Sequence, residues 1–444
     1  MTGRRLAPYR MHALDLPPPT LARSPMPATI LRATLLLALG PTLALAQTAA
    51  APARPRARDL GISALIGGAP GPLDAITDVA GVEVGHTTLI SGSGRLTVGR
   101  GPVRTGVTVV HPRGRASADP VFGAWFTLNG NGEMTGTTWL QESGLLEGPV
   151  AITNTHSVGV VRDAILQWQV KRPGLQPWGL PVVAETFDGF LNDINGFHVK
   201  PEHALAALDG ARGGAVPAEG NVGGGTGMVC HGFKGGIGTA SRRLTPAQGG
   251  WTVGVLVQCN YGARRELRVA GVPVGEEIPD LLPCTDSPDT TISRGSPRCG
   301  AAPATPPVPH DDDAAAGQGS IIIVVATDAP LLPHQLKRIA TRASLGVGRM
   351  GGRGENSSGD IFVAFSTANP GTAADTGVAR VGMLPNARIN PLFAATVQAT
   401  EEAIVNALLA ADTMTGADMH RVTALPVDRL LTALRKYGRA PAVR

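Results

Sequence analysis

The distribution of apolar residues predicts strands and helices mixed along the chain. Apolar runs typical of strands within a sheet occupy residues 105–111, 149–154, 180–186, 252–259, 320–327 and 360–366. Amphipathic spacing predicts helices at residues 158–170, 201–208, 333–345, 391–411 and 426–437. Residues 75–88 are typical of a first strand pair, and residues 122–148 of a loop with a short helix near Leu140. This mixture predicts an α+β fold with sheets inside and helices outside.

The strand that begins at Ser320 has an abrupt start. It follows directly on Gly319, and five β-branched residues come after it. The preceding segment, residues 278–319, contains eight prolines and the acidic run at 311–313, which predicts a flexible linker. His310 beside that run suggests a metal site, but such runs are more often solvated linkers. The Gly319–Ser320 bond therefore joins predicted linker to predicted core, and we hypothesise that it is cut.

Composition and charge exclude several classes of function. The 444 residues include 58 glycines and are 43% hydrophobic, so the chain can bury a large core between tight turns. Most of the net charge of +5 comes from arginines in residues 1–46, so a basic nucleic-acid surface is not predicted. A zinc or thioredoxin-like site is also not predicted, because no pair of the cysteines has CxxC spacing.

The first residues resemble a secretory signal peptide. Arg32 precedes a short apolar run, and Ala44-Leu45-Ala46 is a typical cleavage site. A membrane anchor needs about 18 apolar residues, and this run is shorter. We expect a signal peptide at residues 1–46 and a disordered mature N-terminus at residues 47–58. After removal of the signal peptide, the protein is expected to be periplasmic or secreted and not bound to the membrane.

The four cysteines are an even number in a predicted oxidising compartment. Cys284 and Cys299 could close a small loop within the linker, whereas Cys230 and Cys259 could be either neighbours or buried thiols. The glycine run at 221–228 could aim several N–H groups at one point or serve only for close packing. It is not a phosphate loop, since no Gly-Lys-Ser/Thr follows.

A serine nucleophile without a histidine base is the chemistry that the residues favour. The histidines have no recognisable partner motif, and no serine before a helix lies in a Gly-x-Ser-x-Gly elbow. If Ser320 becomes a chain terminus, its own α-amine, with a pKa of about 7.7–8.0, can accept the hydroxyl proton. Ser358 and Asp360, two residues apart in an extended segment, would share one face and could relay protons to Ser320. From the residues alone, a plain loop-to-strand junction at Ser320 is equally compatible with the sequence.

Three strings, at residues 221–228, 232–242 and 319–336, resemble the L-aminopeptidase/D-esterase (DmpA) family, which includes the β-peptidyl aminopeptidases. The resemblance runs from about residue 59 to residue 435. It implies a four-layer αββα sandwich, of the type shared with ornithine acetyltransferase, and self-cleavage into an α chain (59–319) and a β chain (320–444). The two chains would form one catalytic domain, an α/β heterodimer that assembles into a homo-oligomer, expected to be a tetramer of heterodimers. The implied activity is removal of N-terminal residues from small peptides, amides or esters with a free amine, without cofactor or metal.

The resemblance also assigns roles to individual residues. Ser320 matches the nucleophile, and Ser358 and Asp360 match its serine and acid partners, where relatives often have Glu. Asn260 matches the oxyanion-stabilising asparagine. The remaining matches form the substrate site: Glu185 corresponds to the carboxylate that receives the substrate amine, and Phe187 stands where some aminopeptidases have a tyrosine.

Without the resemblance, the simpler interpretation of Glu185 is a surface carboxylate at a strand end, and that of Asn260 is a turn residue. Two other functions remain open at this point. An acetyltransferase of the same architecture normally cuts before threonine, which Ser320 argues against. An uncleaved periplasmic binding protein would keep Ser320 inert.

Overall fold

The computed structural model describes residues 54–172, 178–289, 296–300, 319–373 and 376–440. The predicted signal peptide, the region around His310 and part of the predicted linker lie outside these residues. The described residues form fifteen strands: β1 Glu83–Ser91, β2 Val103–His111, β3 Val121–Gly130, β4 Leu145–Leu146, β5 Val150–Asn154, β6 Val182–Thr186, β7 Val229–Cys230, β8 Phe233–Lys234, β9 Gly236–Arg243, β10 Thr252–Asn260, β11 Cys284–Thr285, β12 Ser320–Thr327, β13 Gly359–Ser366, β14 Met414–Thr415 and β15 His420–Val422. They also form eight α-helices: α1 Ile62–Ile66, α2 Thr137–Ser143, α3 Val158–Gln169, α4 Pro201–Gly210, α5 Val274–Glu277, α6 Pro333–Arg349, α7 Asn390–Ala410 and α8 Val427–Lys436.

Two main sheets carry the fold. A four-stranded sheet has the order β1-β2-β5-β6, and a six-stranded sheet has the order β4-β3-β13-β12-β10-β9. Within them β5 pairs with β6, and β12 with β13, in parallel, while the other pairs are antiparallel. Two smaller sheets have the orders β11-β15-β14 and β7-β8. The unbroken apolar character of β12 follows from its central place, since such strands are buried on both faces.

The two main sheets pack face to face and helices cover their outer faces. Ile322 and Val324 of β12 lie in the layer between the sheets, with Ile152 of β5. Their neighbours Ile321 and Ile323 belong to the opposite core, which α6 and α7 cover. A third core joins β2, β5 and β6 to α3 and α4. This is the αββα sandwich that the family resemblance implies, with one helical layer outside each sheet.

Four glycines of the predicted run sit between the two sheets, where the structure favours the close-packing interpretation. A Cβ would lie 2.7 Å from Ile152 O at Gly224, 2.5 Å from Ile237 N at Gly225 and 2.4 Å from Arg104 O at Gly227. The N–H groups of Gly223 and Gly224 are taken by the hydroxyls of Thr88 and Thr108. These two N–H groups are therefore not free to bind an anion.

Two stretches predicted from the pattern have a different structure. Residues 122–148 were expected to form a loop with a short helix, but they begin with the ten-residue strand β3, which pairs with β13 along eight positions. Glycine, asparagine and threonine in β3 hide the strand pattern, and pairing with a buried strand outweighs their low propensity. Residues 75–88 were expected to form a strand pair, but they hold a 3₁₀ turn at Ile76–Asp78 and the start of β1, which pairs with β2.

Both expected flexible segments are partly ordered. Residues 47–58 were expected to be disordered, yet Ala57 is fully buried and its N–H donates to Asn406 Oδ1. In the expected linker, Ile278 is fully buried and β11 pairs with β15. A disulfide joins Cys284 to Cys299, as the loop interpretation predicts, and a second joins Cys230 to Cys259. Contacts with the C-terminal part of the chain stabilise segments whose own composition would not order them.

Candidate active site

Ser320 is the first residue of β12, in the middle of the six-stranded sheet. Its Cα pairs with Asn260 at the end of β10 on one side and with Gly359 at the start of β13 on the other. The Ser320 side chain lies on the same face as Ile322, which packs between the sheets. Its Oγ accepts a hydrogen bond of 3.1 Å from the Gly359 N–H, and the residue is 5% exposed. The hydroxyl is therefore held at the end of the layer between the sheets.

Gly319, the residue before the nucleophile candidate, occupies a place that admits no side chain. A Cβ there would lie 1.9 Å from the carbonyl oxygen of Asn260. A glycine allows this close approach of two backbones. Because glycine has no side chain, none lies beside the carbonyl that any attack by Ser320 would target.

Ser358 and Asp360 form the pair that their spacing predicts. Ser358 Oγ donates a hydrogen bond of 2.6 Å to Asp360 Oδ1, and both residues are buried. The Asp360 N–H in turn donates to Asn129 Oδ1 over 2.7 Å. Burial raises the pKa of Asp360 to about 6, and the Ser358 hydrogen bond partly opposes that shift. Ser358 and Asp360 thus flank Gly359, whose N–H donates to the Ser320 hydroxyl.

The Asn260 side chain is fixed by two hydrogen bonds. Its Oδ1 accepts the Val229 N–H at 2.8 Å, and its Nδ2 donates to the Phe187 carbonyl at 2.9 Å. Because one partner is a hydrogen-bond donor and the other an acceptor, they define which atom of the amide is the oxygen and which is the nitrogen. Only one of the two Nδ2 hydrogens is used by Phe187, so the second can serve a substrate oxygen beside Ser320.

Glu185 is a buried carboxylate and not the surface group that the pattern alone also allowed. Its Oε2 accepts the Thr155 hydroxyl at 2.5 Å and its Oε1 accepts the Glu133 N–H at 3.0 Å. Burial raises its pKa, and the hydrogen bonds from Thr155 and Glu133 partly oppose that shift. A Cβ on Gly132 would lie 3.2 Å from Glu185 Oε1 and 3.1 Å from Gly359 Cα. Glu185 therefore lies close to the Gly359 end of the Ser320 site.

The segment 129–133 supports both carboxylates, and the sequence interpretation missed it. Asn129 Oδ1 accepts the Asp360 N–H, and Asn131 donates to two consecutive carbonyls of the loop before β13, its Nδ2 to Ser357 O and its N–H to Ser358 O. A Cβ at Gly359 would lie 2.5 Å from Asn131 O, so the start of β13 needs glycine. The available signal was the alternation Asn-Gly-Asn-Gly before Glu133, which is typical of close backbone approach.

Exposed aromatic rings border the Glu185 side of the site. Phe187, two residues after Glu185, is 53% exposed. His156, next to Thr155, stacks on Phe197 with ring centroids 5.6 Å apart, and Phe197 is 57% exposed. These rings offer apolar surface beside a buried carboxylate. Among the described residues no group of His, Cys, Asp and Glu side chains could hold a metal ion.

Comparison with known proteins agrees with this geometry. Residues 74–422 match the model of peptidase family S58. The chain is 57% identical over 394 residues to the β-peptidyl aminopeptidase BapA of Sphingosinicella microcystinivorans, covering 88% of this chain and 94% of that protein. It is 47% identical to BapA of Sphingosinicella xenopeptidilytica, covering 86% and 92% of the two chains.

Solved structures give the same result. A β-aminopeptidase of Burkholderia sp. superposes with a TM-score of 0.73 at 48% identity, over 86% of this chain and 99% of that one. The L-aminopeptidase D-Ala-esterase/amidase of Ochrobactrum anthropi, described as a prototype of the serine aminopeptidases with a variant of the Ntn hydrolase fold, gives 0.74 at 43% identity, over 87% and 100%.

These matches confirm the predicted resemblance and decide against the acetyltransferase and binding-protein alternatives. The sandwich, the serine at the start of its central strand and the length of the matches agree on one assignment. The chain belongs to peptidase family S58 and is a serine hydrolase of the Ntn type.

Proposed function

We propose that this chain is a self-processing aminopeptidase whose nucleophile is Ser320 after cleavage of the Gly319–Ser320 bond. One observation carries the proposal: the Ser320 hydroxyl lies at the end of a central strand, between Asn260 on one side and Gly359, which follows Ser358, on the other. Glu185 lies close to the same Gly359 that contacts this hydroxyl. A nucleophile, an acid-base pair, an oxyanion donor and an amine-binding carboxylate are what release of an N-terminal residue requires.

The proposed self-cleavage takes place at the Gly319 carbonyl. Ser320 Oγ attacks the Gly319 carbonyl carbon, its proton passes to the Ser320 nitrogen, and the C–N bond breaks to leave an ester. Water then hydrolyses the ester, releasing the Gly319 carboxylate and restoring the hydroxyl beside a free α-amine. The glycine supports this step because a side chain there would collide with Asn260 O.

In the cleaved enzyme the α-amine of Ser320 is the general base. The only hydroxyl hydrogen of Ser358 is committed to Asp360, so Ser358 Oγ can only accept from a further neighbour. It is thus suited to accept a hydrogen bond from the Ser320 hydroxyl or from the ammonium formed when that hydroxyl reacts. Asp360 orients Ser358 for this purpose while its carboxyl is ionised, above a pKa of about 6.

This arrangement predicts an acid limb in turnover. At saturating substrate, the bound ammonium keeps Glu185 ionised, so kcat reports the Ser320 amine and Asp360. Because both must lose a proton, the slope of log kcat against pH should approach about 2 below about pH 6. In Asp360→Asn the slope should stay near 1 and kcat should fall by about 10²-fold.

A neighbouring charge provides the control for this profile. The Glu355 carboxylate contributes to raising the pKa of Asp360. The Glu355→Gln variant should therefore keep the ionisations of the Ser320 amine and of Asp360, and the lower pKa in the profile, that of Asp360, should fall. An unchanged slope in Asp360→Asn would contradict the role given to Asp360.

We further propose that the preferred N-terminal residue is a β-amino acid, since three of the similar proteins are named β-peptidyl aminopeptidase or β-aminopeptidase. Glu185 would bind the substrate ammonium, and the Phe187, His156 and Phe197 rings would contact its side chain. Phe187 lacks the hydroxyl that a tyrosine would supply, so it adds no oxyanion donor.

The test compares anilides of β-alanine and L-alanine, with N-acetyl-β-alanine anilide as the control. We expect kcat/KM to be at least about 10-fold higher for the β-residue, since an added methylene moves the amine relative to the carbonyl that Ser320 must reach. The acetylated analogue, which has no ammonium for Glu185, should not react. Equal rates for the β- and α-residues would contradict the substrate class but not the aminopeptidase activity.

Location and assembly are also proposals. The two disulfides fit an oxidising compartment, which supports export with removal of residues 1–46. The resemblance alone supports a tetramer of heterodimers. The mass of protein collected from a periplasmic fraction should show that residues 1–46 are missing, and the full-length chain in the cytoplasm would contradict export. Light scattering should give a multiple of the heterodimer mass.

A further inference from the structure

The Cys230–Cys259 disulfide lies directly beside the Asn260 amide. Cys259 immediately precedes Asn260, and Cys230 immediately follows Val229, whose N–H binds Asn260 Oδ1. On the other side of the bridge, the His231 N–H donates to the Tyr261 carbonyl over 2.7 Å. The covalent bond therefore lies between two hydrogen bonds that join the same two segments.

Besides the disulfide, hydrogen bonds hold the segment that carries Val229, among them those that Arg264 donates to the carbonyls of His231 and Gly232. The segment belongs to the two-residue strands β7 and β8, and a short isolated hairpin is marginally stable. Lys234, which is fully buried, supports it from inside by donating to Met228 O and Gly235 O, each at 2.8 Å. Its third acceptor is the carbonyl of Gly225 in the glycine run, so Lys234 also joins the segment to that run.

The orientation of the Asn260 amide depends on this segment. Val229 is one of two groups that fix the amide, and the other is the Phe187 carbonyl. If Val229 moves away, the amide can rotate about its last bond and the second Nδ2 hydrogen loses its direction. Oxyanion donors contribute to rate only when they are already aimed at the developing charge.

We propose that the Cys230–Cys259 disulfide is a positioning element for catalysis: it keeps Val229 on Asn260 and thereby aims the amide at the oxyanion. This inference rests on the role proposed above for Asn260. Both cysteines are fully buried, so the bridge is protected from solvent. The second disulfide, Cys284–Cys299, involves β11 of the three-stranded sheet and provides a matched control.

The experiment removes each bridge in turn and refers kcat to the cleaved fraction seen by intact mass. In Cys230→Ala/Cys259→Ala we expect kcat to fall by about 10- to 100-fold, as small misplacements of catalytic groups do, with KM within about 2-fold. Cys284→Ala/Cys299→Ala should leave kcat within about 2-fold. A folded first variant with the kcat of the wild type would overturn the proposal.

A double-mutant cycle separates positioning from general stability. Asn260→Ala alone should lower kcat by about 10²- to 10³-fold. In that background, loss of Cys230–Cys259 should have almost no further effect, because the group that it positions is gone. Multiplicative losses would mean that the bridge acts through the fold. If Asn260→Ala leaves kcat unchanged, the role proposed for Asn260 fails. If Asn260→Ala lowers kcat but loss of the Cys230–Cys259 disulfide does not, only the positioning role of the disulfide is refuted.

Folding of the variants is checked by circular dichroism, and Cys230→Val/Cys259→Val serves as a second pair that keeps apolar volume. If neither pair folds, wild-type protein is incubated with a phosphine reductant in urea below the unfolding transition, where local opening exposes the buried bridge, and alkylation with mass analysis reports which bridge has opened. Activity should then fall with opening of Cys230–Cys259 while the circular dichroism is still that of folded protein. Activity that falls only as the dichroism is lost would overturn the proposal.

Discussion

Replacement of Ser320 by alanine should give an inactive protein. The α-amine that serves as base is created only when the Ser320 hydroxyl attacks Gly319, so the variant loses the nucleophile and never acquires the base. Removing the nucleophilic serine of a serine protease lowers kcat on the order of 10⁶-fold. We therefore expect at least about 10⁴-fold loss of amide hydrolysis by Ser320→Ala.

The matched control is Ser357→Ala. Ser357 precedes Ser358 in the same loop, but only its carbonyl is used, as the acceptor for Asn131 Nδ2. This variant should hydrolyse amides at the wild-type rate. Hydrolysis by Ser320→Ala within about 10-fold of the wild type would show that another residue is the nucleophile.

Replacement of Glu185 by glutamine should give the second largest effect. The carboxylate is buried and its two hydrogen-bond donors leave its charge uncompensated, so a substrate ammonium is the natural partner. Losing one partner of a buried charge pair costs about 2–5 kcal/mol. We expect kcat/KM for substrates with a free amine to fall by about 10²- to 10³-fold, mainly through KM.

Cleavage at Gly319 should continue in Glu185→Gln, because no substrate amine takes part in that step. Glu133→Gln is the control: Glu133 supplies its backbone N–H to Glu185, but its side chain is exposed. We expect kcat/KM of that variant to change by less than about 3-fold, as for surface charges elsewhere. Unchanged turnover in Glu185→Gln would show that the amine binds elsewhere.

The parts of the fold that could be predicted from the sequence are those where local pattern and burial agree. The strands β10, β12 and β13 are buried along their whole length and read as continuous apolar runs. By contrast, β9 was not predicted, because its glycines look like loop residues. One of them, Gly238, allows α7 to approach so closely that a Cβ would lie 2.0 Å from Ala403 O. Such a contact depends on residues far apart in the chain, which a local pattern does not contain.

Some residues of the candidate site could likewise be predicted from the local sequence, and others could not. Ser320 and the Ser358–Asp360 pair could be proposed from position and spacing, and in the structure the pair flanks Gly359, whose N–H donates to the Ser320 hydroxyl. Asn260 and Glu185 needed the family resemblance, because an asparagine or a carboxylate at a strand end has no distinctive local signal. The support from Asn129 emerged only from the structure, which also decided the Cys230–Cys259 pairing that the sequence had left open, since each joins segments that are distant in sequence.

The central claim is that Ser320 becomes a chain terminus, and intact-mass analysis of the purified wild-type protein tests it most directly. We predict two chains that separate between Gly319 and Ser320, with masses that add up to the uncut mature chain plus one water. Active wild-type protein that remains a single chain would contradict the account.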